Sequence, residues 1–272
     1  MRIEPRSSVV RAIVFAAAAL GAHVAAAADL VVTPRWLASQ IGQPGLVILH
    51  VGDKDVYDAG HIPGARFIDR KDLADPNAKL TLQMPSVEAL RAAFEAHGVS
   101  DSSRIVVYFG TDWVSPTARV FVTLEYLGLG ARASILDGGL PTWHAEGRAV
   151  TTDVPAVARG TITATPHPEV IVDADWVNAH LRDSNVRIVD ARTPEFYSGE
   201  KSGGFSRAGH IAGALSIPFN SLNVDPSNVL KDQAALRAAF EAAGVRPGAT
   251  VVTHCQEWSA RPDLPIETSD KK

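Results

Sequence analysis

Cys255 is the only cysteine in the 272 residues and stands seventeen residues from the carboxyl terminus. It closes the run Ala249-Thr-Val-Val-Thr-His254, whose short apolar pattern reads as a buried strand. A thiolate at a strand tip is a nucleophile for two-step covalent catalysis. The alternative for the same residue is a small buried hydrophobe. With no second cysteine there is no internal disulfide, so the thiol is either reactive or incidental.

Other chemistries lack their residues. The nine histidines form no HExxH, and there is no paired CxxC or close His/Asp cluster, so neither a metal nor a metal-dependent hydrolase is expected. No GxGxxG or GxxxxGK[ST] gives a nucleotide-cofactor site, and no GxSxG forms a serine nucleophile elbow. The sequence therefore implies no cofactor. A net charge of -4, with no basic stretch interleaved with aromatics, argues against nucleic acid as a partner. With 46% hydrophobic and 21% charged residues, the chain has the composition of a globular protein, long enough for one large or two ordinary domains.

Residues 1–28 differ in composition from the rest. Arg2, Arg6 and Arg11 precede the apolar run Ala12 to Leu20, and Ala26-Ala27-Ala28 precedes Asp29. This pattern reads as a secretory signal cut after Ala28, which places the mature chain in the periplasm or outside the cell. The alternative, an amino-terminal anchor, needs a longer apolar stretch, and no later segment qualifies as a membrane span.

An internal repeat organises the remainder. Leu90-Arg-Ala-Ala-Phe-Glu-Ala-His-Gly-Val99 returns as Leu236-Arg-Ala-Ala-Phe-Glu-Ala-Ala-Gly-Val245, and Ala59-Gly-His-Ile-Pro-Gly-Ala65 returns as Ala208-Gly-His-Ile-Ala-Gly-Ala214. Two matches in the same order indicate a duplicated unit. Leu46 to His50 with Tyr57, and Val186 to Asp190 with Tyr197, open the two units. The division is a unit at 31–150, a linker at 151–169 and a unit at 170–272. Within the first unit, 105–109 and 133–137 read as strands, while Ser86 to His97 and Ser115 to Leu129 read as helices, the former stopped by Gly98. Alternating strands and helices predict an α/β fold with a mostly parallel sheet, whose reactive groups gather beyond the carboxyl ends of the strands.

Several positions carry a family resemblance: Asp190-Ala-Arg192, Gly209 to Ala214 with Pro218, the strand ending in Cys255, Leu136-Asp-Gly-Gly139 with Trp143, and the stretch Trp258 to Glu267. From about Val32 to Glu267 the chain resembles the two-domain rhodanese family, sulfurtransferases acting on thiosulfate or 3-mercaptopyruvate. The resemblance implies two tandem rhodanese-like domains, with Phe109 standing in the first where Cys255 stands in the second. It also implies a persulfide on Cys255, a small anionic sulfur donor and a thiophilic acceptor such as cyanide. Asp190 and Arg192 then organise the wall of the site or bind the donor; the structural alternative is a salt bridge tying the strand end to the next helix. Mercaptopyruvate-type members tend to carry an arginine where this chain has Phe196, so thiosulfate is the expected donor. His61 and His210 are expected to hold backbone, and Tyr57 and Tyr197 to pack on the same turns.

The second unit departs from the first. Phe109 and Cys255 both lie nineteen residues beyond the leucine of the shared helix motif, but Trp143 follows Phe109 by 34 residues and Trp258 follows Cys255 by three. The shortfall is 31 residues. The second unit should then lack counterparts of the helix around Pro116 to Leu129, of the Ile135 strand with its Gly138-Gly139 turn, read as a central strand, and of the loop after Phe109 that cradles an anionic sulfur, leaving it incomplete and less cooperative. The residues after the thiol contain no glycine, and Glu257 disfavours a thiolate and an anionic donor. Arg261, with His254, is the nearest source of positive charge. The rival to an active sulfurtransferase is an exported, catalytically impaired rhodanese-like binding protein.

Overall fold

The computed structural model describes residues 29–78, 83–111, 115–203, 207–255 and 266–267. The expected signal at 1–28 and Arg261 lie outside them. No described helix is long and apolar enough to cross a membrane.

The first unit runs β1 (Val31–Val32), α1 (Pro34–Gln40), β2 (Leu46–Val51), α2 (Lys54–Ala59), β3 (Ala65–Ile68), α3 (Val87–Ala96), β4 (Arg104–Phe109), α4 (Ser115–Tyr126), β5 (Ala133–Leu136) and α5 (Gly139–Ala145). Its sheet has the order β1-β5-β4-β2-β3 with every pair parallel. A parallel sheet is covered on both faces, so its strands are apolar throughout rather than alternating. Val47, Leu49, Ile105 and Val107 pack under Leu90 and Phe94 of α3 and Val120 and Leu124 of α4. On the other face Ile48, Val106 and Tyr108 pack with Leu37 of α1 and with Leu140 and Trp143 of α5.

Local signals set the helix ends. The Ser86 hydroxyl accepts from the Ala89 amide at the start of α3, and Gly98, at φ +73°, closes its end. There the Gly98 amide donates to Glu95 O and the Val99 amide to Phe94 O. The helix expected to reach Leu129 stops at Tyr126, because Gly128 at φ +81° closes it with the same paired bonds, to Glu125 O and Leu124 O. Residues 151–165, read from sequence as a linker, lie along the first unit. The Gly160 amide donates to Glu95 O, Ile162 is buried, and the Asp101 carboxylate accepts from the Thr163 and Ala164 amides.

The second unit runs α6 (Ala174–His180), β6 (Val186–Asp190), α7 (Pro194–Tyr197), β7 (His210–Ile211), β8 (Leu215–Ser216), β9 (Asn223–Val224), β10 (Val229–Leu230), α8 (Gln233–Ala242), β11 (Thr250–His254) and β12 (Ile266–Glu267). Among the described residues its parallel sheet holds three strands, β11-β6-β8. By strand register β6 matches β2 and β11 matches β4, so no described strand takes the place of β5 or β1. The shortfall was expected to remove a central strand; the absent β5 counterpart is instead the strand outside the central one, which leaves β11 at the sheet edge.

The loss shows in how the repeated helix is buried. α8 carries the same cap chemistry as α3: Asp232 accepts from the Ala235 amide, and the Gly244 and Val245 amides bond Glu241 O and Phe240 O. Leu90 and Phe94 are fully buried, whereas Leu236 and Phe240 are only half-buried. Phe94→Ala is expected to destabilise the first unit by about 3–5 kcal/mol, and Phe240→Ala the second by about 1–2 kcal/mol. Equal losses in urea unfolding at low protein concentration would contradict the missing layer.

The first unit seals its central strand tips. His50 is fully buried, its Nδ1 sharing a 2.9 Å hydrogen bond with the Tyr108 hydroxyl, which also accepts from the Ile62 amide at 3.2 Å. Burial, reinforced by His61, pushes the His50 imidazole down to about 4. The unfolded chain therefore binds this proton near pH 6.5 and the folded chain only near 4. Stability from this group is complete above about pH 6.5 and falls as pH drops towards 4, by roughly 3 kcal/mol. Urea titrations of wild type and His50→Gln between those limits check this: the substitution should flatten the pH slope, and an unchanged slope would refute it.

Candidate active site

β6 and β11 run side by side in parallel, with His254 opposite Asp190. Their carboxyl ends bring Asp190, Arg192 and Cys255 to one edge of the second unit. The Ala191 amide donates to His254 O, the Ile217 amide to Asp190 O and the Phe219 amide to Ala191 O. These bonds fix the turn that carries Arg192.

Asp190 is fully buried and Arg192 is 5% exposed. The guanidinium grips the carboxylate through Nε, at 3.0 and 3.1 Å, and through a terminal nitrogen at 2.6 Å. That nitrogen also donates to Gly209 O at 2.7 Å, and the Arg192 amide donates to Asp190 Oδ1 at 3.0 Å. Burial raises the Asp190 carboxyl, but the Arg192 hydrogen bond, His254 and the Arg192 amide together hold it below its usual value. Arg192 is thus turned onto Asp190 and the Gly209 turn. Removing one member of such a pair leaves a buried charge, which makes it a strong local constraint.

His254 and Cys255 occupy successive positions and point to opposite sides of the strand. The His254 ring is buried, with Nε2 3.6 Å from Asp190 Oδ2. Burial lowers its imidazole below the ordinary value, Asp190 opposes this and Arg192 adds to it. His254 is therefore a buried ring held against Asp190, on the side of the strand away from the thiol. The two-residue period of a strand was the signal in the sequence that separates it from the sulfur.

The Cys255 thiol is free and exposed. Its matching residue, Phe109, is 2% exposed. Strand register confirms the match, since Phe109 follows Tyr108 opposite His50 as Cys255 follows His254 opposite Asp190. Residues 256–265, including Glu257 and Arg261, lie outside the described residues. Of the four residues singled out for this site, Asp190, Arg192 and Cys255 are brought to the same strand ends.

The repeated turns are scaffolding, as expected. Tyr57 stacks on His61 at 3.8 Å between centroids and donates its hydroxyl to Ala65 O; Tyr197 stacks on His210 at 3.7 Å and donates to Ala214 O. His61 and His210 each bond a tyrosine carbonyl, Tyr57 O and Tyr197 O, at 2.8 Å through Nδ1. Trp143 is core, its indole N–H donating to Ala149 O. The sequence did not signal the Gly209 carbonyl as a support for Arg192, nor the Leu230 amide that donates to Asp137 across the two units.

A profile of the Rhodanese-like domain matches residues 33–146 and again 173–264. The thiosulfate sulfurtransferase of Pseudomonas aeruginosa is 29% identical over 268 aligned positions, covering 88% of this chain and 97% of the relative. The thiosulfate sulfurtransferase of Azotobacter vinelandii is 31% identical over 274 positions, covering 89% of this chain and 98% of the relative. Since 89% of 272 residues is about 242, roughly 32 of those 274 positions have no residue of this chain, close to the 31-residue shortfall. The crystal structure of SseA from Escherichia coli, described as showing the rhodanese fold of 3-mercaptopyruvate sulfotransferases, aligns at a TM-score of 0.73 and 28% identity. That alignment covers 83% of this chain and 88% of SseA. The same domain recurs in both units and the relatives align along nearly their whole length, so the chain belongs to the rhodanese family.

Proposed function

We propose that this chain is a sulfurtransferase that takes sulfane sulfur from thiosulfate onto Cys255 and passes it to a thiophilic acceptor, 3-mercaptopyruvate being the alternative donor. The Cys255 thiolate attacks the outer sulfur of thiosulfate, the S–S bond breaks and sulfite leaves with the bonding pair. Cyanide or another thiophile then attacks the outer sulfur of the persulfide, giving thiocyanate in the case of cyanide and restoring the thiolate. The observation that carries this reading is an exposed thiol at the carboxyl end of a parallel strand, beside a fixed Asp190–Arg192 pair. The naming of the Pseudomonas and Azotobacter relatives as thiosulfate sulfurtransferases supports it.

In this reading Asp190 and Arg192 position the strand ends, Arg261 supplies positive charge near the donor, and residues 1–28 direct export to the periplasm or beyond. Turnover is slow, because no described residue gives the exposed sulfur the dry, preorganised surroundings that stabilise a reacting anion. The same exposure favours a second reading, an exported rhodanese-like protein that binds a small anion or partner without turnover.

Intact-mass measurement after incubation with thiosulfate separates the two. The sulfurtransferase gains one sulfur, loses it on addition of cyanide, and Cys255→Ser gains none. No adduct on the wild-type chain would leave the binding protein. Inserting after Cys255 a 31-residue segment patterned on residues 110–142 is expected to raise turnover by about 10²-fold or more.

A further inference from the structure

Among the described residues the second sheet has an unprotected edge. β11 lies outermost in β11-β6-β8, whereas its counterpart β4 is flanked on that side by β5. The Thr250 amide donates to Asn185 O, and His254 O accepts from the Ala191 amide, both on the β6 side. The alternation of a parallel ladder therefore turns the N–H and C=O groups of Val251 and Thr253 outward. No described residue bonds those four groups. The side chains tell the same story: Val251 is 38% exposed where Ile105 is fully buried, and Thr253 is exposed where Val107 is fully buried. Thr250 to His254 contains no Lys, Arg, Asp, Glu or Pro, the residues that keep an edge strand from pairing.

We propose that this edge joins two copies of the chain, β11 pairing antiparallel with β11 of the second copy about a twofold axis perpendicular to the sheet. An open ladder of N–H and C=O groups is satisfied by another strand, and the twofold operation of a closed dimer makes two identical strands antiparallel. The join creates a continuous six-stranded sheet and sets the two α8 layers side by side on one face. Charge favours a copy over a strongly charged partner. The apolar groove formed by Leu236, Phe240 and Val245 is rimmed by Arg237 and Glu241, one turn apart on α8, and by Arg246. A rim carrying both signs is complementary to itself when rotated and offers no single-sign field to a nucleic acid or a uniformly charged peptide.

Static light scattering of the chain from Asp29 onward, in reductant and across low to high micromolar concentration, tests this. The expected result is a reversible dimer. Val251→Lys, which sets like charges along the seam, should weaken association by about tenfold or more with unchanged secondary structure. Thr253→Pro, which removes an outward N–H, should do the same. The proposal is overturned by a monomer at every concentration, by a dimer indifferent to both substitutions, or by open-ended association. A dimer seen only without reductant would be a Cys255 disulfide and would overturn it too. A monomer that binds a peptide of residues 115–137 would assign the edge to a foreign helix and strand.

Discussion

A strand inside a parallel sheet needs a neighbour on each edge and a packed layer on each face, and the two halves of this chain differ in whether that need is met. β4 has both neighbours, with α3 and α4 over one face and α1 and α5 over the other. β11 has β6 alone among the described strands, with α6 beneath Val252 and no described helix in the place of α4. The half-burial of Phe240, the exposure of Val251 and the exposure of Cys255 all follow from that one difference. The repeated helices themselves are equally well capped, so the cause lies in what packs against them.

The parts of the second unit that do not depend on the absent layer remain intact. The Tyr197–His210 stack repeats the Tyr57–His61 stack in ring spacing and in its hydrogen bonds to backbone. The Asp190–Arg192 pair is buried, multiply bonded and anchored on Gly209. The corresponding strand tip of the first unit has His50 and Tyr108 where the second has Asp190 and His254, and Phe109 in place of the thiol. One tip is closed and apolar; the other keeps the nucleophile and its charged support.

Much of this was legible in the sequence because it rests on local rules. The repeat fixed the pairing of Phe109 with Cys255, and Gly98 and Ser86 marked the ends of α3. Counting from Phe109 to Trp143 and from Cys255 to Trp258 exposed the missing helix and strand. What escaped depends on tertiary geometry. Strand order within a sheet is not written in strand sequence, so the missing counterpart of the Ile135 strand is identified there but reads as central, whereas β5 lies between β4 and the edge strand β1. A polar Thr/Ala/Pro stretch resembles a tether, yet the Asp101 carboxylate and Glu95 bind it to the first unit. The anchoring of Arg192 on the Gly209 carbonyl, seventeen residues along the chain, has no local signal in the sequence. His254 was weighed as a charge near the thiol, and its ring lies buried against Asp190 instead.

The central claim is that equivalent strand tips are sealed in one unit and open in the other. Alkylation kinetics on the folded chain at low concentration compare them directly, using wild-type Cys255 against a Phe109→Cys, Cys255→Ser double variant. The account predicts that Cys255 reacts near the rate of the unfolded chain, while a cysteine at position 109 reacts orders of magnitude more slowly because it waits for local unfolding. Comparable protection at both positions would contradict it.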